Sequence, residues 1–322
     1  VLMFCFAKNA KGFVLMPLNV LLTLMGKIVV MILIGFILKK TGIITNDGQK
    51  AFSKFLLKAT LPASILASSG EELSGELSSG LAKTAVIAFF YYAAAIIISV
   101  FISKRLNAED KTKKVFITMS VFANTGFLGF PLCLELYGNE GMLYAVIYNS
   151  FFQLFMFTYG IYLISSSGKF NLKELFKNPV TIASFVSIAI FLSPFRFPKF
   201  LQSALESVGG ITTPLSMIII GCTLCGMDLK ELFKDKYSYL VSALRLVIFP
   251  AAMILVLSFL GLPKTVAATC AVITALPCGS LNVILAEEYD CNPEFAARTV
   301  VQSMVLMAVT IPCVIYISNL VL

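Results

Sequence analysis

Histidine and tryptophan are absent, and charged residues make up only 13% of the 322-residue chain. Without imidazole there is no His-built metal site. The eight cysteines are scattered, mostly inside apolar runs, so they offer no disulfide framework. Without tryptophan, any aromatic belt at a membrane surface falls to tyrosine and phenylalanine. Against these shortages stand 58% hydrophobic residues and a mean hydropathy of +0.91. A soluble core of this size has no room for so many apolar side chains, whereas a bilayer removes the need for a polar outer face. The composition therefore reads as a polytopic membrane protein with little chain left for a separate soluble domain.

Ten apolar segments follow one another at 15–38, 51–68, 81–103, 115–137, 141–164, 179–193, 203–226, 237–261, 265–287 and 295–321. Lys8 and Lys11 precede the first run, but no small-residue cleavage site follows, so it reads as a retained helix rather than a signal peptide. The net charge of +8 raises the question of a nucleic-acid partner, and the placement of the basic residues answers it. They concentrate at alternate connections: sixteen fall on one side, including Lys39, Lys40, Lys111, Lys173 and Arg298, and five on the other, namely Lys8, Lys11, Arg196, Lys199 and Lys264. The positive-inside rule makes the richer side cytoplasmic. It predicts a multi-pass protein of the cell membrane with both termini outside, whose basicity reflects orientation in the bilayer and no nucleic-acid partner.

The chain also resembles itself. LPASIL around Pro62 aligns with TPLSMI around Pro214, and LELYG with AEEYD, which pairs Glu135 with Glu287 and Tyr137 with Tyr289, all at an offset of 152 residues. Each copy holds five segments, and an odd number forces the second copy to enter from the opposite face. The expected fold is an all-α polytopic membrane protein of ten transmembrane helices, arranged as two inverted five-helix repeats. The first repeat spans 1–164, a cytoplasmic linker with the Ser165–Ser167 run spans 165–178, and the second repeat spans 179–322.

Segments 4 and 9 are the most easily interrupted. SVFANTGFLGFPL carries Gly126, Gly129 and Pro131, and VITALPCGSLNVI carries Pro277, Gly279 and Ser280. Proline removes a backbone donor and glycine costs about 1 kcal/mol in a helix against alanine. Both spans are predicted to be broken near mid-membrane. Unwound backbone survives there only inside protein or beside a water-filled cavity, and the half-helix N-termini that follow each break offer free N–H groups to a carboxylate.

ANTGFLGFPL in segment 4, LPCGSLNVILAEEYDCNPEFAARTVV through segments 9 and 10, and KTGIIT after segment 1 resemble the auxin efflux carrier family. Its bacterial members include permeases for malate, malonate and related anions. The resemblance implies a scaffold of helices 1, 2, 6 and 7 and a mobile transport domain of helices 3–5 and 8–10. It further implies that broken helices 4 and 9 cross at the substrate, that access alternates in an elevator-like way, and that the protein is a homodimer through the scaffold. Carried over residue by residue, Asn124 and Pro131 belong to the first crossing strand and Pro277 and Gly279 to the second; Thr125, Gly126, Cys278, Ser280 and Asn282 complete the candidate substrate site. Plant members carry an amide beside Pro277 where this chain has Cys278, so that polar contact is lost or moved to Asn282. Plant members also carry an acidic residue one turn before the lysine of helix 3, where Ser79 precedes Lys83 here.

Ionisable residues inside spans are costly, roughly 2.5 to 3.5 kcal/mol each on translocon scales. Arg245 in segment 8 is a fixed positive charge for an anion or for a structural partner. Lys27 lies near the middle of segment 1. Glu135 and Glu287, with Lys83, are candidates for proton or ion coupling, or for capping and pairing. Asn149 and Gln153 share a face of segment 5, and serve either substrate binding or contacts between helices. Cys222 and Cys225 have redox spacing but lie in an apolar helix, where packing explains them. No phosphate loop, nucleophile elbow or paired-carboxylate motif stands in a suitable context. The combined expectation is a cofactor-free, non-enzymatic secondary transporter of small organic anions, with the lipid bilayer as its surroundings. A membrane sensor on the same scaffold, or an anion channel, is the alternative.

Overall fold

A computed structural model describes residues 18–69, 75–165, 179–193, 195–225 and 234–322. All but Ser165 of the linker expected at 165–178 lies outside the described residues, as do Lys8 and Lys11. Long apolar stretches become helices because a bilayer offers no partner to a free N–H or C=O. The described residues are accordingly helical, apart from turns, short connections and one antiparallel bridge between Ala123 and Cys278.

The helices are α1 (Leu18–Lys40), α2 (Asn46–Phe55), α3 (Leu61–Ser68), α4 (Gly75–Ser103), α5 (Asp110–Val121), α6 (Phe130–Phe155) and α7 (Ile161–Ile164). They continue as α8 (Pro179–Leu192), α9 (Lys199–Gly209), α10 (Thr212–Cys225), α11 (Lys236–Ala243), α12 (Phe249–Ser258), α13 (Lys264–Thr274), α14 (Ser280–Glu288) and α15 (Pro293–Val321). Wider π turns at Leu56–Thr60, Thr125–Gly129, Met156–Gly160 and Leu244–Ile248 lead into α3, α6, α7 and α12. Among the described residues, five continuous stretches are long and apolar enough to cross a membrane: Glu76–Ser103, Thr125–Ile164, Lys199–Cys225, Lys236–Ser258 and Pro293–Val321. The 40-residue stretch contains a kink at Gly138, whose φ of +65° and ψ of −158° leave helical geometry. Pro179–Ile190 and Lys264–Thr274 are shorter apolar helices.

Small residues decide which helices meet, since close backbone approach replaces the hydrophobic drive that lipid cannot supply. α1 lies along α10. A side chain at Gly35 would run into the backbone of Ile218, and one at Gly221 into the backbone of Ile32 and Phe36. Cys222 donates its thiol to the Gly35 carbonyl at 3.3 Å, which makes it part of this same contact. α3 receives α9 at Gly209, where an added Cβ would stand 2.8 Å from the Ser64 Cα, and meets α8 through Ser187 Oγ donating to Ile65 O at 3.0 Å.

The remaining helices pack on one another. α4 lies against α5 and α6, while α6 also contacts α13. Tyr148 of α6 shares a 2.9 Å hydrogen bond with Thr274 of α13, and Ser238 of α11 shares one of 2.8 Å with Thr299 of α15. The two sets also touch where α6 meets α3, α8 and α10, and polar side-chain contacts tie them together. Lys27 of α1 pairs with Glu135 of α6 at 2.8 Å, and Thr181 of α8 donates to Gln153 of α6.

Candidate functional site: two facing non-helical segments

α5 ends at Val121, and Phe122 then adopts extended geometry with φ −102° and ψ 107°. The helical path resumes with the π turn at Thr125. On the other side α13 ends at Thr274, and Ala275–Gly279 separate it from α14. The two non-helical segments lie against each other. Asn124 N donates to Pro277 O at 2.8 Å and Gly279 N donates to Phe122 O at 3.0 Å, flanking the Ala123–Cys278 bridge. Groups that helix geometry frees are thus paired across the crossing instead of being left orphaned. The approach is tight enough to specify glycine: a Cβ on Gly279 would lie 2.7 Å from the Ala123 carbonyl oxygen.

Asn124 is the cap of the resumed helix, and its Oδ1 accepts from Phe127 N at 3.3 Å. Its Nδ2 is buried with no partner. An unmade buried hydrogen bond costs about 1–3 kcal/mol, so this donor is one feature of the crossing that packing alone does not explain. A Cβ on Gly126 would meet nothing within 4 Å, so open space lies two residues from that donor. Thr125 donates to Asn149 Oδ1 at 2.5 Å, tying the start of the π turn to the middle of α6. Pro131 is buried six residues into this resumed helical path, just past the π turn, where its missing N–H leaves one carbonyl of that turn without its helical bond.

On the second strand, Pro277 contributes its carbonyl, and Cys278 is fully buried with its backbone N–H donating to Ser303 Oγ at 3.1 Å. Ser280 opens α14. Asn282 is fully buried, and its Nδ2 donates to Phe122 O at 3.0 Å and Gly279 O at 2.9 Å. Since both partners are carbonyls, the amide orientation is fixed, and Asn282 Oδ1 remains a buried acceptor without a partner.

Arg245, 1% exposed in the π turn before α12, meets the crossing from behind. Its Nε donates to Leu276 O at 3.0 Å. Its Nη1 donates to Val121 O at 3.0 Å, to Ser120 O at 3.4 Å and to the Tyr91 hydroxyl at 2.5 Å. The partners are carbonyls and a phenol rather than a carboxylate. Tyr91 was not singled out from the sequence. Its signal is the Tyr91–Tyr92 pair, two polar-tipped rings inside an otherwise apolar span.

The other candidates separate from this cluster. Asn149 and Gln153 share a face, yet Asn149 belongs to the crossing through Thr125 whereas Gln153 turns to Thr181 of α8. Glu135 pairs with Lys27. Lys83 is exposed on α4, eight residues before Tyr91 and so about 12 Å away along the helix. The side chain of Glu287 lies outside the described residues. An open polar cavity of about 520 Å³ lies where α5, α11 and α15 begin, among Glu109, Asp235, Asn292 and Arg298. Nearby, Lys111 pairs with Asp290 at 2.7 Å and holds that exposed carboxyl below its usual range. Among the described residues no group of three His, Cys, Asp or Glu side chains is arranged to hold a metal ion.

Among the described residues the fold is all-helical with membrane-length apolar helices, which defines a membrane protein, and similarity to known proteins places it in the transporter class. The family described as membrane transport protein matches residues 20–174 and 163–315, and the chain belongs to this family, that of the auxin efflux carriers. It is 24% identical to an uncharacterized transporter of Methanocaldococcus jannaschii over 89% of this chain and 94% of the relative. It is 26% identical to an uncharacterized transporter of Methanothermobacter thermautotrophicus over 88% and 94% of the two chains. A 24% identity to the uncharacterized transporter YfdV of Escherichia coli covers 91% of this chain and 96% of that one.

Proposed function

We propose that this transporter carries small organic anions, mono- or dicarboxylates, across the cell membrane, with the carboxylate held at the crossing. The observation that carries the reading is the buried, unpartnered Nδ2 of Asn124 at the start of a resumed helix, beside the open space at Gly126. An amide N–H and a helix N-terminus both favour negative charge, and the amide adds no second buried charge to desolvate. Thr125, Ser280 and Asn282 frame the site as hydroxyl and amide neighbours.

The architecture proposed around it is ten spans in two inverted repeats, with both termini outside. The offset of 152 residues and the two facing interruptions support that reading. The packing of α1, α3, α8, α9 and α10 among themselves supports a scaffold of helices 1, 2, 6 and 7, against which the remaining helices move in an elevator-like way. The homodimer is proposed to form through that scaffold.

Purified protein is tested by thermal shift against a series of mono- and dicarboxylates, since a ligand that binds only the native state raises its melting temperature by mass action. A concentration-dependent rise with one carboxylate, absent with the matching amide, is expected. A flat response across the whole series contradicts the anion reading and turns attention to a sensor role.

A further inference from the structure

We propose that Arg245 sets the charge preference of the crossing without touching the cargo, by neutralising the two helix C-termini that converge there. The inference rests on the anion reading above and adds a specificity-determining residue to it.

Interrupting two helices at one place creates four helix ends. The resumed ends at Thr125 and Ser280 are N-termini, each carrying about half a positive charge. The arriving ends of α5 and α13 are C-termini, each carrying about half a negative charge. Left alone, the four cancel, and a crossing of this kind has no reason to prefer an anion over a cation. The Arg245 guanidinium donates to Ser120 O and Val121 O, at the end of α5, and to Leu276 O, two residues past α13. Its unit charge matches the two half-charges it contacts, and leaves the two N-termini as the uncompensated ends. Tyr91 takes a further Nη1 hydrogen bond without adding charge, because a phenol is neutral at ordinary pH. The planar fork explains why arginine stands here: one side chain reaches a carbonyl at the end of α5 and another just past the end of α13, which a lysine ammonium on a single stem does not reproduce.

The role is measurable without a substrate. Ser280, half-buried at the start of α14, is replaced by cysteine in a chain whose Cys5, Cys225 and Cys313 are serine. Its reaction rates with an anionic sulfonatoethyl and a cationic trimethylammonioethyl methanethiosulfonate are then compared. Both reagents consume the same thiolate, so their rate ratio cancels the thiolate fraction and reports local potential. Normalised to 2-mercaptoethanol, the ratio in the parent is expected to favour the anionic reagent. Arg245→Gln is expected to lower it by more than about threefold, and Arg245→Lys to keep it within that factor, since the charge survives even where the fork does not. A parent ratio that does not favour the anion overturns the proposal, and it needs no Arg245 variant to fold. An Arg245→Gln ratio within threefold of the parent, or an Arg245→Lys ratio that falls as far as that of Gln, overturns it as well. Because no carboxylate takes part, failure here is separate from failure of the binding screen.

Discussion

Lys27 and Glu135 are 108 residues apart in the chain, yet Lys27 Nζ stands 2.8 Å from Glu135 Oε1. The pair joins α1, which packs on α10, to α6, which packs on α4 and α13. Both partners are partly exposed, at 52% and 25%. The interest of the pair is mechanical. Any sliding of one helix group past the other has to break it, together with the Thr181–Gln153 hydrogen bond.

The first prediction follows from that tie. Lys27→Cys combined with Glu135→Cys, bridged by a short bifunctional methanethiosulfonate, is expected to abolish uptake into proteoliposomes, and reduction is expected to restore it. Undiminished uptake by fully bridged protein contradicts relative motion of these two groups.

Glycine at the crossing supplies a paired stability test. Gly279→Ala drives a methyl toward the Ala123 carbonyl oxygen, 2.7 Å away on the facing backbone, and overpacking of this kind costs about 1–3 kcal/mol. Gly126→Ala meets nothing within 4 Å and is expected to melt like the parent. Thermal unfolding of the two purified variants decides the matter, and equal melting temperatures contradict the tight crossing.

Orientation is tested by labelling intact cells. A cysteine in place of Lys264 is expected to react with an impermeant maleimide from outside, and one in place of Lys111 only after permeabilisation, as the sixteen-to-five distribution of basic residues requires. The opposite pattern removes the N-out topology.

The parts of the site that sequence makes legible are those that break a rule locally. Asn124, Pro277 and Gly279 stand out because an amide, a proline and a glycine interrupt apolar helical runs, and each is found at the crossing. Partners brought together by the fold are not legible in this way. Arg245 is conspicuous as a charge in an apolar span, but its backbone contacts are the carbonyls of Val121, at the end of α5, and Leu276, just past α13, which any sequence would provide. Asn149 and Gln153 share a helical face, yet one turns to Thr125 and the other to Thr181, because neighbouring helices divide that face between them. Tyr91 is marked in the sequence only by the polar tips of the Tyr91–Tyr92 pair, and its partner Arg245 is supplied by the fold.

Substrate binding at Asn124 is tested by uptake of the carboxylate found by thermal shift, measured in proteoliposomes with the parent and with Asn124→Asp. An ionised carboxylate at that position still accepts from Phe127 N, which preserves the cap, but it repels an anion at close range and no longer supplies the free N–H. The Asn124→Asp protein is expected to fold with a melting temperature below that of the parent, because the new carboxylate is buried, and to show no ligand-induced shift and uptake at the level of empty liposomes. An Asn124→Asp variant that binds and transports like the parent contradicts it.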